Sequence, residues 1–392
     1  MTKPHAVIIG AGVAGLSAAW WLNKAGWRST IVERASHLRS KGYMMGLSGL
    51  GYETLKKMGL FERLNAVSYK IDENIYKNSK GKEILRLRYQ DFIADLPYLA
   101  IRRSDLVMAL ADILPSSADL RLNSTIEDIK DSCDRYDVKL NNGDCISADI
   151  ILGCDGFRSS LRQKYFDQND KCLQPLGYYF AVYDIDHAKT FDHDFLSYVE
   201  PAHLAEYYGL HDGNLAAMHV WRDNRENLQK EMDPYQILAK VAQNSNQEVR
   251  DLLTKAQQQK APLLIDSLTM VDLPKWYNKN MLLLGDAAHC LTLISGQGAG
   301  MALASVEMLS NALLQYGDIN HAFAHHDQQL RPIINRLQAR SRKMAPMFVP
   351  NNPITFHLRN IALKLMPKSW LGHYFTNAIK AEIALTQNQC IK

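Results

Sequence analysis

The hydrophobic pattern changes period twice within the first thirty-four residues. Val7–Ile9 is a continuous apolar run, Ala14–Leu22 is a stretch of good helix formers, Gly26 is placed to stop it, and Thr30–Val32 is a second apolar run that ends on an acid, Glu33. Strand, helix, strand in that order predicts a βαβ unit. Beyond a loop at 36–48 rich in glycine and basic groups, Leu50–Leu64 has helical spacing. Ser104 is placed to cap a helix that ends near Leu114, before Pro115, with Leu106, Leu110, Ile113 and Leu114 inward. Strands are expected at Glu83–Tyr89 and Leu120–Ile126. Tyr136–Leu140 and Cys145–Ser147 flank Asn142-Gly143, a hairpin signal, and lead into a buried strand at Ala148–Gly153. From Gly177 to Trp221 the chain is strand-like and rich in aromatic residues, which predicts a second sheet. Helical patterns return at Tyr235–Gln259, Ala299–Tyr316 and Asp318 to Met344. Pro346, Pro350 and Pro353 then predict a break before an amphipathic stretch from Ile354 to Leu385, itself interrupted at Pro367.

Composition narrows the class. At 392 residues and 47% apolar content the chain can bury a large core as an α/β protein of two or three domains. Its six cysteines form no CxxC pair and no Cys/His cluster of metal-ligand spacing, so neither a metal nor a disulfide frame is expected. No charged-then-apolar leader and no apolar run of about 18 residues is visible, which points to the cytoplasm and against a membrane span. A net charge of +4 gives no reason to expect a nucleic-acid partner. The charge is uneven, however: residues 331–392 hold ten Lys/Arg and one acid, Glu382. That basic segment reads as a solvated helix face.

The chemistry begins at Gly10, Gly12 and Gly15. The first glycine allows a tight strand-to-helix turn, the second lets backbone approach a diphosphate, and the third lets helix pack on strand. The diphosphate then meets the amides of Val13 and Ala14 at a helix N-terminus, and Glu33, with Arg34 beside it, ends the second strand where an adenosine ribose lies. Three more segments follow: Gly153-Cys154-Asp155-Gly156 after an apolar strand, Leu282 to His289 ending another strand in Gly285-Asp286, and Gly296-Gln297-Gly298-Ala299-Gly300 opening a helix.

In this order the motifs resemble those of the class A flavoprotein monooxygenases, aromatic hydroxylases with a para-hydroxybenzoate-hydroxylase-like fold. The resemblance runs over roughly residues 4–340 and includes Arg103 in Arg102-Arg103-Ser104-Asp105-Leu106 and the segment Leu330-Arg331-Pro332. It implies a Rossmann-like FAD-binding domain at 1–75, 98–172 and 278–330, a β-sheet substrate domain at 76–97 and 173–277, and a C-terminal helical extension at 331–392 that bridges them. It also implies the roles of single residues. Asp286 matches the ribitol acceptor, the amides near Gly298 and Ala299 match the stabiliser of the reduced ring, and Arg103 matches the arginine against the cofactor. Gly42, Asp155, Gly285 and Gly296 complete the cofactor set. His289 is expected to support its loop rather than do acid–base chemistry. The chain departs from the family pattern at Cys154, at Leu293, where proline is usual, and at Ser305, where an acid is usual.

The family's reaction uses NADPH or NADH to reduce the flavin, then dioxygen to form a flavin hydroperoxide that delivers one oxygen to an electron-rich carbon; no side chain is marked as catalytic. A single dinucleotide fingerprint suggests that the nicotinamide nucleotide docks transiently, with Arg39 or Lys41 for its phosphates. The segment Gly42–Leu60 and the long tail are similar to the branch that acts on polycyclic polyketides and includes the tetracycline destructases. The expected protein is therefore a monomeric monooxygenase of a polycyclic phenol, with tetracycline inactivation as its specific form. Met45, Tyr179, Tyr183, Met218 and Trp221 are the substrate candidates. The alternatives are a flavin-linked dehydrogenase or reductase of the same fold and a non-catalytic FAD-binding redox sensor; a flavin-dependent halogenase is disfavoured because no WxWxIP segment occurs.

Overall fold

The computed structural model describes residues 3–38, 43–88, 97–132, 135–186, 195–223, 233–350 and 352–365. Its first sheet has six strands in the spatial order Tyr277–Asn278, Met281–Leu283, Ile150–Gly153, His5–Ile9, Arg28–Val32 and Ala118–Arg121, all parallel except the first. Ala6, Val7, Ile8, Ile151, Leu152 and Leu282 are wholly buried in one core with helices Val13–Lys24 and Gly298–Gln315 and with a three-stranded sheet (Ile126–Ser132, Arg135–Leu140, Cys145–Ala148). Burial on both faces is why these strands read as unbroken apolar runs. Gly10 has φ +101, and a Cβ there would lie 2.6 Å from the Cys154 carbonyl oxygen, so only glycine permits the turn that leaves the central strand.

The second sheet has seven strands, ordered Leu264–Val271, Leu173–Ile185, Leu215–Arg222, His203–Gly209, Phe195–Glu200, Glu73–Lys77 and Glu83–Arg88; only the Phe195–Glu200 and Glu73–Lys77 pair is parallel. Helices Pro234–Val241 and Gln247–Gln258 cover one face through Leu238, Val249, Leu252 and Leu253. The other face fronts the first domain, where Met44, Leu293 and Ile294 pack against it. Helix Ile319–Phe348 joins the two halves: Leu330, Ile333, Ile334 and Leu337 lie in the first core, while Ala345 and the following Val349 pack with Tyr178, Leu204 and Val220 of the second sheet.

Several expectations change in detail. Leu50–Leu64 is two helices, Gly49–Lys57 and Phe61–Ala66, parted at Gly59, and Tyr235–Gln259 is also two, the second capped by Asn246, whose Oδ1 accepts from the Glu248 amide. Leu120–Ile126 is not one strand: the chain turns at Asn123, with φ 51, between strands of different sheets. The expected loop at 36–48 ends in a strand, Met44–Ser48, paired with Tyr98–Arg102. Pro346 does not break its helix, which runs on to Phe348 with Pro332 also inside it. The expected domain boundaries at 75/76 and 330/331 fall inside a strand and a helix, respectively. In the final described helix, Pro353–Leu365, Phe356 is buried on the second sheet, but Ile354, Leu358 and Ile361 are exposed rather than docked. Leu371, Phe375 and Ile379 of the expected apolar stripe lie outside the described residues.

Candidate functional site

The four glycine-bearing motifs meet at the carboxyl ends of the parallel strands, where open α/β sheets bind ligands. Besides the contact between Gly10 and Cys154, Gly285 has φ +58, and a Cβ on it would lie 3.1 Å from Ala14 Cβ and 3.4 Å from Ala302 Cβ. The Gly-Asp turn is thus held between the first helix of the βαβ unit and the helix after Gly296. A side chain at that junction would force Ala14 to give by a few tenths of an ångström. Asp286 in turn lies beside Gly298, the first residue of that helix, with 3.8 Å from its Oδ1 to where a Gly298 Cβ would be. Gly296, φ +66, closes the short helix Thr292–Ser295 just before it.

Neither long helix has a side-chain cap at its start: Gly12 precedes Val13–Lys24 and Gln297 precedes Gly298–Gln315. Their first amides, those of Val13, Ala14 and Gly15 and of Gly298, Ala299 and Gly300, have no intrahelical acceptor, and the positive dipole ends face the same strand ends. Glu33 is half-buried and ties the turn together, since its Oε2 accepts from the Ala11 amide at 2.8 Å and its Oε1 from the Ala35 amide at 2.9 Å. Its remaining lone pairs suit a diol. Arg34, next to it, is exposed, and Gly42 lies outside the described residues, as do Arg39 and Lys41.

Arg103 donates its amide to the Tyr43 carbonyl at 3.1 Å. Its guanidinium is raised above its ordinary pKa, chiefly by the Tyr43 phenol and then by Asp286, against the cost of burial, so it remains a cation between them. Asp155 uses Oδ2 to accept from the Ser160 amide at 2.8 Å and the Leu161 amide at 3.4 Å, while its Oδ1 is buried with no partner among the described residues. An orphaned acceptor next to Gly10, two sets of free amides and a ribitol-type carboxylate form a donor and acceptor set that fits FAD. His289 is different: burial first, then His326, drives its pKa down to about 3, and it packs on Trp276 at 5.1 Å as a neutral ring. Ser305, at the position where the family pattern has an acid, bonds the buried His326 at 3.1 Å.

Side-chain alternation sorts the substrate candidates. Met218 lies on the sheet face that fronts Leu293 and Ile294. Tyr179, Tyr183 and Trp221 lie on the opposite face, in the core under the two covering helices; the Tyr183 hydroxyl meets His219 Nε2 at 2.9 Å, and Trp221 stacks on Tyr179. Met45 turns into the first core, and it is Met44 that touches the second sheet, its amide donating to the Tyr208 hydroxyl. The structure therefore puts Met218 on the face toward the motifs, Tyr179, Tyr183 and Trp221 on the helix-covered face and Met45 toward the first core, because neighbouring positions on a strand point to opposite faces. The face toward the motifs instead presents Phe180, Glu206 and Tyr208 with Met218, none of the first three having been singled out. The signal was available, since Glu206 is the only acid in the strand His203–Gly209. Ion pairs span the halves: Arg102 to Asp184 at 2.8 Å and to Asp212 at 3.7 Å, and Arg158 to both oxygens of Asp266 at 2.7 and 2.6 Å.

These features define a flavoprotein oxidoreductase with an FAD site at the edge of a Rossmann-like sheet. The FAD binding domain family matches residues 3–316, and the chain belongs to that family. A flavin-dependent monooxygenase of Legionella longbeachae serogroup 1 (strain NSW150) is 23% identical over 341 residues, 85% of this chain and 86% of the relative. Among solved structures, the tetracycline destructase Tet(55) superposes with a TM-score of 0.82 at 23% identity, covering 96% of this chain and 97% of that one. HpxO of Klebsiella pneumoniae, complexed with FAD and uric acid, gives a TM-score of 0.81 at 17% identity over 96% and 97% of the two chains. The resemblance to class A flavin monooxygenases drawn from the motifs stands. Among the described residues no helix is long and apolar enough to cross a membrane, and no group of three or more His, Cys, Asp or Glu is placed to hold a metal.

Proposed function

We propose that the protein is an NAD(P)H-consuming monooxygenase that uses FAD to place one oxygen atom from dioxygen on a polycyclic phenol, with tetracyclines as the specific candidates. The observation that carries this reading is the juxtaposition of the four motifs with a broad sheet face of apolar and aromatic side chains. Such a face suits a flat, oxygen-bearing ring system better than a small acid. FAD, when bound, supplies the redox chemistry, accepting hydride from the nicotinamide and activating dioxygen. The chain's own residues bind and orient. The amides from Gly12 to Gly15 hold the diphosphate, Glu33 the adenosine ribose and Asp286 the ribitol. Arg103 would lie against the cofactor, and the amides of Gly298 and Ala299 would favour negative charge on its ring. Asp155, Gly285 and Gly296 shape the turns around it.

Met44, Phe180, Met218, Leu293 and Ile294 supply an apolar wall that keeps water from the reacting centre. Arg102–Asp184 and Arg158–Asp266 keep that wall in register with the motifs. One dinucleotide fingerprint leaves the nicotinamide nucleotide to dock transiently, with Arg34 exposed at the edge of the site. The reading includes a monomer in the cytoplasm, to be tested by sedimentation and by cell fractionation. The decisive experiment is an absorption spectrum of the purified chain, then NADPH oxidation and dioxygen uptake with and without tetracyclines and other phenolic polyketides. Substrate-stimulated uptake of dioxygen supports a monooxygenase. NADPH oxidation that proceeds equally without dioxygen points to a dehydrogenase or reductase, and bound FAD with no stimulated oxidation to a sensor.

A further inference from the structure

We propose that Glu206 is a substrate-recognition group that takes a hydroxyl of the substrate at the sheet face and disfavours substrates presenting a carboxylate there. The inference deepens the reading above and rests on that face being the substrate side. Leu204, Glu206 and Tyr208 share the face, and Glu206 stands opposite Met218 on one neighbouring strand and Ser197 on the other. It is 6% exposed amid apolar side chains. Ser197 Oγ lies 3.3 Å from Glu206 Oε1 and 3.0 Å from Asn74 Oδ1. Ser197 has one proton for the two acceptors, so the hydrogen bond it offers Glu206 is long and shared.

Among the described residues Glu206 has no other hydrogen bond and no ion pair. Burial pushes its carboxyl up to about 7, which Ser197 only partly offsets. The other buried polar group of this domain behaves differently. On the helix-covered face Tyr183, Tyr207, His219, His203, Ser245 and Glu200 bond one another in a continuous chain, which ends at Glu200 with its Oε1 unpartnered among the described residues. Glu206 is left with capacity to spare on the side where substrate would lie. A buried carboxyl with one long hydrogen bond destabilises the fold, and a ligand hydroxyl relieves it. The ionised form accepts from a phenol or enol, and the protonated form donates to an adjacent keto oxygen, so a keto–enol array satisfies either state. A ligand carboxylate meets a like charge.

The test uses the FAD-loaded enzyme with 1,8-dihydroxyanthraquinone and anthraquinone-2-carboxylate, each titrated against the flavin absorbance. The wild type should bind the hydroxylated ring about tenfold more tightly or better. Glu206→Leu should lose most of that preference by weakening the phenol, and Glu206→Gln, which keeps size and hydrogen bonding, should narrow it by admitting the carboxylate. FAD content and melting temperature report folding, and the Gln variant decides the matter where the Leu variant does not fold. A wild type that prefers the carboxylate, or a preference unchanged in the Gln variant, overturns the inference alone. If neither anthraquinone perturbs the wild-type spectrum, the substrate class falls with it, while the yellow colour of the same sample still reports on FAD.

Discussion

The two halves of this protein treat backbone and side chains in opposite ways. In the first, the candidate site sits in the main chain: turns, free amides and helix starts make it up, and side chains such as Glu33 and Asp155 mostly hold those turns in place. In the second, the backbone is spent on sheet hydrogen bonds, and only the side chains on one face are available for recognition. Glycine spacing therefore marks the first half in the sequence, because a backbone site tolerates few residue types. A side-chain site carries no such mark, because an apolar strand residue serves a core and a binding wall equally well.

The comparison breaks most severely at a glycine. Gly10→Ala should cost about 1–3 kcal/mol in backbone strain, with further cost from its overlap with Cys154, and should abolish stable FAD loading; flavin content and thermal unfolding check it. Asp286→Ala leaves the fold but removes a charged acceptor, about 1.5–3 kcal/mol, so FAD affinity should fall by roughly one to two orders of magnitude in a fluorescence titration. Glu33→Ala should weaken FAD by about tenfold at the more exposed end.

A matched pair in the second half sharpens the contrast. Met218→Ala should raise KM with little change in stability, whereas Tyr183→Phe, on the other face, should cost about 0.5–1.5 kcal/mol of stability and leave KM unchanged. Equal KM effects from the two would mean that sheet face does not sort them. Protonation gives a further test of the first half. The folded pKa values of His289 and His326 are lowered to about 3 and about 4, mainly by burial, so below the unfolded value of 6.5 the unfolded chain binds more protons. Stability should fall as pH drops from 6.5 toward 4, by up to about 1.4 kcal/mol per pH unit for each histidine, and His289→Phe should flatten that slope in melting temperature against pH. Least affected should be Arg158→Ala, because that arginine is mostly exposed and its pair with Asp266 is worth under about 1 kcal/mol.

The nucleotide site was legible because its pieces are short, contiguous and tied to strand ends. Gly10 to Gly15, Gly153 to Gly156, Gly285-Asp286 and Gly296 to Ala299 each follow or open a regular element, and parallel strands bring such ends to one edge. The aromatic sheet was legible as a sheet, yet the sequence did not sort its substrate candidates between the two faces. Where only one face of a strand is buried, apolar and polar residues alternate and name the buried side. In Leu215–Arg222 and His203–Gly209 both faces are covered, one by helices and one by the flavin half, so Met218 and Trp221 look equally apolar from the sequence. The sequence by itself determined the βαβ unit and the cofactor class, since these depend on local backbone requirements. Which side chains share the face toward the motifs was decided only by tertiary packing, because the covering elements come from distant parts of the chain and no local period records which of them lies on which face.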